Sequence, residues 1–291
     1  MITQKCFWRY EVENLYLNAG QMKAGTTFLY QILENHEKIY FSLEKEVHYL
    51  SQLYGKYKLL SDHVRTRKAK EIMARSLEGD KSPLSFKKDI EWINNYLEDP
   101  KKTGWYENIF KWAAEEQYVA DFSNLTCTIP PAGLKEIKNR FSNVKITYCM
   151  RDPVVRAFSH MKFHLKFAGK NSQLENNKDA ELESLLLSDD IYPQGETLSH
   201  VDKLVKVFGK DNVRLIQCED MWKDPQKTVS NICEFLDIEH MEIASNWNRP
   251  TNVGPKELMS ERIEDLIVRS IRKEINGTSE CKSKYRDIFI S

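Results

Sequence analysis

The sequence lacks several features that would point to particular classes of protein. Its 43 Lys and Arg residues equal its 43 Asp and Glu residues, so no overall charge draws the chain to nucleic acid. No apolar run approaches the roughly 18 residues of a membrane span, and Met1 to Glu13 contains no signal-peptide core. These absences favour a bacterial cytoplasmic enzyme without a nucleic-acid partner or a membrane span. A luminal domain cut from its anchor is the alternative.

Cysteine pairs and clusters of metal ligands are also missing. The six cysteines are Cys6, Cys127, Cys149, Cys218, Cys233 and Cys281. They contain no C-x-x-C motif, and several fall within apolar segments. We therefore expect buried free thiols in a reducing compartment. Because His, Cys, Asp and Glu show no metal-ligand spacing, we expect no metal ion.

What the sequence does contain is an alternation of predicted strands and helices. The predicted strands are 15–19, 38–43, 118–122, 144–150 and 213–218. The predicted helices include 131–140, one starting at Pro153, 198–208, 225–236 and a C-terminal helix at about 257–275. A polar helical insertion is expected at about 55–100. This order predicts a single α/β domain over residues 1–291, with a mostly parallel sheet between helices and ligands beyond the carboxyl ends of its strands.

The first strand runs into a P-loop-like strand–loop–helix unit that predicts an anion site. A helix that begins after a Gly-containing turn presents free backbone amides and the positive end of its dipole. Lys23 adds a full charge to this turn, Gly25 lets the backbone approach an anion, and Thr26 and Thr27 add hydroxyl groups. The turn is not a Walker loop, since its Lys precedes the Gly instead of following it.

A second predicted anion site follows the strand 144–150. Arg151 stands at the end of this strand, Pro153 begins the next helix, and Ser159 comes eight residues after Arg151. Two helical turns place Ser159 where it can share an anion with Arg151. The guanidinium fork suits phosphate in a way that Lys cannot copy.

Together the two motifs resemble those of sulfotransferases that use 3′-phosphoadenosine 5′-phosphosulfate (PAPS). Lys-Ala-Gly-Thr-Thr resembles the family's 5′-phosphosulfate loop, and Arg followed by Ser eight positions later resembles its 3′-phosphate motif. The resemblance implies PAPS as co-substrate and no metal. The donor-binding residues that it implies are Lys23, Ala24, Gly25, Thr26, Thr27, Phe28, Arg151 and Ser159.

The resemblance also implies catalytic roles. Lys23 is expected to neutralise charge on the departing bridging oxygen. The segment containing Glu46 resembles one in glycan sulfotransferases whose Glu accepts the acceptor proton, and we expect partial burial to raise the pKa of this carboxyl. His48 is the rival base. A surface Glu46 paired with Lys45 is the alternative without a catalytic role.

The acceptor is less well indicated than the donor. Small-molecule sulfotransferases have a late Arg-Lys-Gly element that closes over the 3′-phosphate, and this sequence lacks it. The nearest basic loop is 252–256, where Lys256 is the candidate for the same role. This absence favours a carbohydrate acceptor over a lipid or small alcohol. Two other classes stay open, a P-loop-type nucleotide kinase or NTPase and a non-catalytic anion-binding relative. The sequence does not predict the oligomeric state.

Overall fold

A central sheet of six parallel strands organises the computed structural model, which describes residues 12–170, 173–243 and 259–290. The strands are β1 (Asn14–Asn18), β2 (Ile39–Phe41), β3 (Tyr118–Asp121), β4 (Asn143–Met150), β5 (Val213–Gln217) and β6 (Phe289–Ile290). Their order across the sheet is β2-β3-β1-β4-β5-β6, and every neighbouring pair is parallel. The predicted α/β fold is confirmed.

Helices cover both faces of this sheet in the described part of the chain. The helices are α1 (Thr26–Leu33), α2 (Tyr49–Tyr54), α3 (Asp62–Glu78), α4 (Pro83–Leu97), α5 (Trp105–Ile109), α6 (Pro131–Arg140), α7 (Pro153–Phe167), α8 (Asp179–Leu186), α9 (Thr197–Phe208), α10 (Cys218–Lys223), α11 (Pro225–Leu236), α12 (Glu261–Ser270) and α13 (Arg272–Lys284). None of them is long and apolar enough to cross a membrane.

Strand side chains alternate between two buried layers. In β1, Leu15 and Leu17 join a core formed with α2–α6, α9 and α13, whereas Tyr16 joins the opposite core with α1, α10 and α11. A third apolar cluster lies among α7, α8 and α12. A parallel sheet covered on both faces needs apolar residues at nearly every strand position, which explains the dense apolar runs in the sequence.

Local sequence sets the start of the helix that matters most for the site. The Asp152 side chain accepts a hydrogen bond from the backbone amide of Val155, and Pro153 occupies the first helical position of α7. Both are strong helix-start signals, because Asp satisfies a free amide and Pro needs none. Arg151 therefore lies directly between the last residue of β4, Met150, and the start of α7.

The helical insertion at 55–100 corresponds to α3 and α4. Ile72 of α3 and Trp92 and Tyr96 of α4 are buried in the same core as the sheet residues Leu15 and Ile146. The insertion is therefore packed onto the sheet as part of one α/β domain. The five described cysteines are buried and free, as predicted, and Cys6 lies outside the described residues.

The predicted C-terminal helix at 257–275 is wrong in its course, and residues 257 and 258 lie outside the described residues. The chain forms α12, a break at Ile271 and then α13, which continues to Lys284. Ile271 is fully buried, with φ −108° and ψ 23° outside the helical region. Asn276, Gly277 and Thr278 are weak helix formers, yet α13 runs through them. Thr278 and Cys281 are buried, and their packing stabilises α13. The hydrophobic pattern of the sequence does not indicate this burial.

Candidate active site

The turn between β1 and α1 leaves a helix start open. Gly25 precedes α1 with φ 82°, no side chain caps the helix, and its first turn contains no acidic residue. Helix starts without a cap have backbone amides that need an acceptor, and they attract anions. These amides lie at the carboxyl edge of the sheet, because the Gln21 amide donates to the Cys149 carbonyl near the end of β4. The turn thus leaves backbone amides without a side-chain cap at the edge of the sheet where the sequence predicts an anion.

Gly25 is required by packing as well as by its backbone angle. A Cβ atom added there would lie 2.7 Å from Cys218 Sγ and 2.9 Å from Met221 Cε. Only glycine adopts a positive φ without steric cost, and only glycine lets α10 approach this closely. Helix α10, which follows β5, therefore packs directly against the turn.

Lys23 lies in the same turn, with φ 69°. Burial lowers the pKa of its ammonium group, the neighbouring Arg151 lowers it further, and Glu46 raises it. Its Nζ lies 5.0 Å from the centroid of the Phe163 ring, on α7. Lys23 is thus a partly buried cation between the strand edge and α7, close to a second cation and to one carboxylate.

Arg151 reaches back to this turn from the end of β4. Its Nη1 donates to the Lys23 carbonyl at 3.2 Å, and its guanidinium lies over the Trp222 ring at 5.0 Å. Its Nε is buried without a hydrogen-bond partner within the described part of the chain. A buried charged donor without an acceptor is costly, so this group is suited to receive an anion. Ser159 lies half-buried on α7, two turns beyond Arg151.

Opposite the turn, the loop after β2 brings three polar side chains together. Lys45 Nζ donates to Glu46 Oε1 at 3.0 Å and to the Thr26 and Thr27 hydroxyls at 3.2 and 3.4 Å. His48 Nε2 lies 3.2 Å from Glu46 Oε2. The two predicted base candidates are thus in direct contact, and both are connected to the anion-binding turn through Lys45.

The expected rise in the pKa of Glu46 is wrong. Burial does raise this pKa, but Lys45 and His48 outweigh burial and lower the pKa to about 2. The Lys45 ammonium group and the hydrogen bond with His48 stabilise the carboxylate more than partial burial destabilises it. Glu46 is therefore ionised and able to accept a proton, although its present contacts make it a weak base.

A buried polar group that sequence reasoning passed over holds the base candidates in place. Asn124 Nδ2 donates to Glu46 Oε1 at 3.0 Å, and the His48 amide donates to the Ser123 hydroxyl at 2.7 Å. Ser123 and Tyr106 in turn donate to the fully buried Asp121. The only available signal was the polar Asp-Phe-Ser-Asn stretch directly after a buried strand. Both oxygens of the Asp121 carboxylate are used by Tyr106 and Ser123.

Other predicted features of the site are only partly described by the structure. Ala24 is fully buried, and Phe28 packs into the same core as Tyr16. The loop 252–256, including Lys256, lies outside the described residues. Within residues 12–170, 173–243 and 259–290, no group of three or more His, Cys, Asp or Glu side chains could hold a metal ion.

Fold and site together define a class of protein: a parallel α/β fold with an uncapped helix start, two cations and a carboxylate at the carboxyl edge of its sheet. The chain belongs to the sulfotransferase family, since residues 17–274 match the family model described as "Sulfotransferase domain". It therefore has the family's sulfotransfer chemistry. No curated protein matches the chain in sequence.

Solved structures share the fold of this chain. A sulfotransferase from Alicyclobacillus acidocaldarius is 20% identical with a TM-score of 0.62, and the alignment covers 94% of this chain and 99% of that one. The sulfotransferase domain of the Synechococcus PCC 7002 olefin synthase is 18% identical with a TM-score of 0.51, covering 92% and 91%. The sulfotransferase domain from the curacin biosynthetic pathway is 16% identical with a TM-score of 0.52, covering 92% and 98%. At these identities the similarity concerns the fold.

Proposed function

We propose that this protein transfers a sulfuryl group from PAPS to the hydroxyl of an acceptor. The observation that carries the proposal is the approach of Lys23 and Arg151 to one uncapped helix start, with the Arg151 Nε left without an acceptor. Two cations and a row of free amides match the two anionic groups of this nucleotide, its 5′-phosphosulfate and its 3′-phosphate.

In the proposed reaction the acceptor oxygen forms a bond to sulfur while the bond from sulfur to the bridging oxygen breaks. The electron pair of that bond leaves on the nucleotide phosphate, where Lys23 neutralises the developing charge. Glu46 accepts the proton of the acceptor hydroxyl, and His48, bonded to Glu46 Oε2, orients the carboxylate. Arg151 and Ser159 hold the 3′-phosphate, and residues 24–28 surround the 5′-phosphosulfate.

For the acceptor we propose an alcohol on a carbohydrate, because the Glu46 segment resembles that of glycan sulfotransferases. One observation favours a second candidate, an apolar alcohol. Phe163, beside Lys23, is 39% exposed, and Phe167, stacked next to it, is 81% exposed. Exposed aromatic rings beside a reactive centre bind apolar chains, and they also stack on sugar rings. Both acceptor classes are screened with the wild type and with Phe167→Ala. Only the class that binds at these rings should show a higher KM in the variant.

The donor site is tested by calorimetric titration with 3′-phosphoadenosine 5′-phosphate (PAP). Arg151→Ala removes at least one hydrogen bond from a charged group, which contributes about 1.5–3 kcal/mol, so we expect PAP affinity to fall by about 10- to 150-fold or more. Arg214→Ala is the matched control. Arg214 also donates to backbone carbonyls and lies 4.8 Å over an aromatic ring, but at the amino end of β5. No PAP binding by the wild type, or equal binding of AMP, would refute the proposal.

A further inference from the structure

Lys45 occupies an unusual electrostatic position. Its ammonium group, with the side chain only 14% exposed, lies against the hydroxyls of the first two residues of α1. The start of a helix carries partial positive charge, which disfavours a cation there. Lys23 lies close by and adds further positive charge. Lys45 is held in this place by its bond to the Glu46 carboxylate.

The Glu46 carboxylate, in turn, is occupied at both oxygens. Oε1 accepts from Lys45 and Asn124, and Oε2 lies against His48. A carboxylate bonded in this way has little capacity for a new proton donor. An acceptor alcohol can reach Oε1 most easily if one of the present donors withdraws. Lys45 is the donor that already touches the anion-binding turn.

The contacts of Lys45 with α1 are arranged for an incoming anion. The Thr26 and Thr27 hydroxyls accept from Lys45, so their own O–H groups are free to donate. A phosphosulfate bound at the start of α1 would therefore lie beside the Lys45 ammonium. With several negative charges, it would compete with the single charge of Glu46 for that ammonium.

We propose that Lys45 exchanges Glu46 for the phosphosulfate when the donor binds, and that this exchange frees Glu46 Oε1 to accept the acceptor proton. The inference rests on the proposed PAPS-dependent transfer. It makes Lys45 a donor-binding residue and a positioning residue for the base. The base is thus activated only when a sulfuryl group is present to be transferred.

A double-mutant cycle on donor binding tests this exchange. PAPS is titrated without acceptor into the wild type, Lys45→Met, Glu46→Gln and the double variant. Loss of one charge-assisted hydrogen bond predicts about tenfold weaker binding for Lys45→Met. Glu46→Gln should tighten binding several-fold, because Lys45 is released from Glu46 beforehand. In the Lys45→Met background the same change should have a clearly smaller effect, since there is no Lys45 to release.

Matched variants separate this role from simple loop stability. Lys68→Met removes the neighbouring Lys68–Glu44 ion pair, 2.7 Å long, which holds the same loop without touching Thr26 or Thr27. It should leave PAPS affinity within about twofold of wild type, and Lys45→Arg should recover most of the affinity that Lys45→Met loses. Thermal melting of every variant confirms folding.

The outcomes distinguish the two proposals. If the wild type binds PAPS but the effects of Lys45→Met and Glu46→Gln add within twofold, the exchange is overturned while the donor site stands. The same holds if Lys68→Met weakens PAPS as much as Lys45→Met does. If the wild type binds neither PAPS nor PAP, the proposed function fails, and the exchange fails with it.

Discussion

The ion pair between Arg156 and Glu274 offers the sharpest test of how the site is held. Arg156, on α7, is fully buried, and its Nε and Nη2 donate to Glu274 Oε1 at 3.1 and 2.9 Å. The pair joins the helix that begins beside Arg151 to α13. Burial raises the pKa of Glu274 although Arg156 lowers it, so the carboxylate depends on its partner to remain charged.

Arg156→Met leaves Glu274 buried and unpaired, and we expect unfolding free energy to fall by about 3–5 kcal/mol. Globular proteins have an unfolding entropy of about 2.1 cal/mol/K per residue, which gives roughly 0.6 kcal/mol/K for a chain of 291 residues. The expected loss in Tm is therefore about 5–8 °C. Urea unfolding followed by circular dichroism, together with thermal melting, measures both quantities.

The double variant Arg156→Met/Glu274→Met decides whether pairing is the cause. Removing both charges removes the unpaired group, so its cost should be well below the sum of the two single variants. Lys210→Met, in an exposed Lys210–Asp287 pair of 2.8 Å, is the control and should leave Tm unchanged. Additive effects, or a loss below about 1 kcal/mol for Arg156→Met, would refute the reasoning.

Two further predictions concern the donor turn and pH. Gly25→Ala should lower the unfolding free energy by about 2–4 kcal/mol and abolish tight PAP binding, because its Cβ would collide with Cys218 and Met221 at a positive φ. Burial lowers the pKa of His160 to about 2 and of His200 to about 3, so both are neutral in the folded protein. Below pH 6.5 the unfolded chain binds protons that the folded chain does not. The contribution of these two neutral histidines to the unfolding free energy is thus fully present above pH 6.5. Below that pH it falls by up to about 2.7 kcal/mol per pH unit.

Each of these predictions has a control in the chain. Gly104 also precedes a helix with φ 83°, but a Cβ there would meet nothing within 4 Å. Gly104→Ala should therefore cost only the backbone strain and leave PAP affinity intact, and equal losses for both glycines would contradict the packing argument. For pH, the unfolding free energy is measured by urea unfolding at several values between pH 5 and 6.5. It should change less steeply with pH in His200→Gln than in the wild type. Identical slopes would contradict a buried neutral His200.

The sequence alone predicted the parts of the site that depend on local chain order. An apolar strand, a Gly-containing turn and an amphipathic helix follow one another in residues 14–33, so the anion-binding turn could be predicted from neighbouring residues. Arg151 could be predicted in the same way, since a β-branched strand and a helix-starting Pro enclose it. In a parallel sheet these strand ends lie at one edge, which also placed the two motifs near each other.

Tertiary structure decided which side chains touch and how they are charged. The low pKa of Glu46 depends on contacts with Lys45 and His48, and Asn124, which follows a different strand, also donates to this carboxylate. The break at Ile271 and the course of α13 likewise follow from burial against distant helices. A local pattern fixes the backbone of a segment and the face it buries. The distance between segments far apart in the chain is set only when the sheet and its helices assemble.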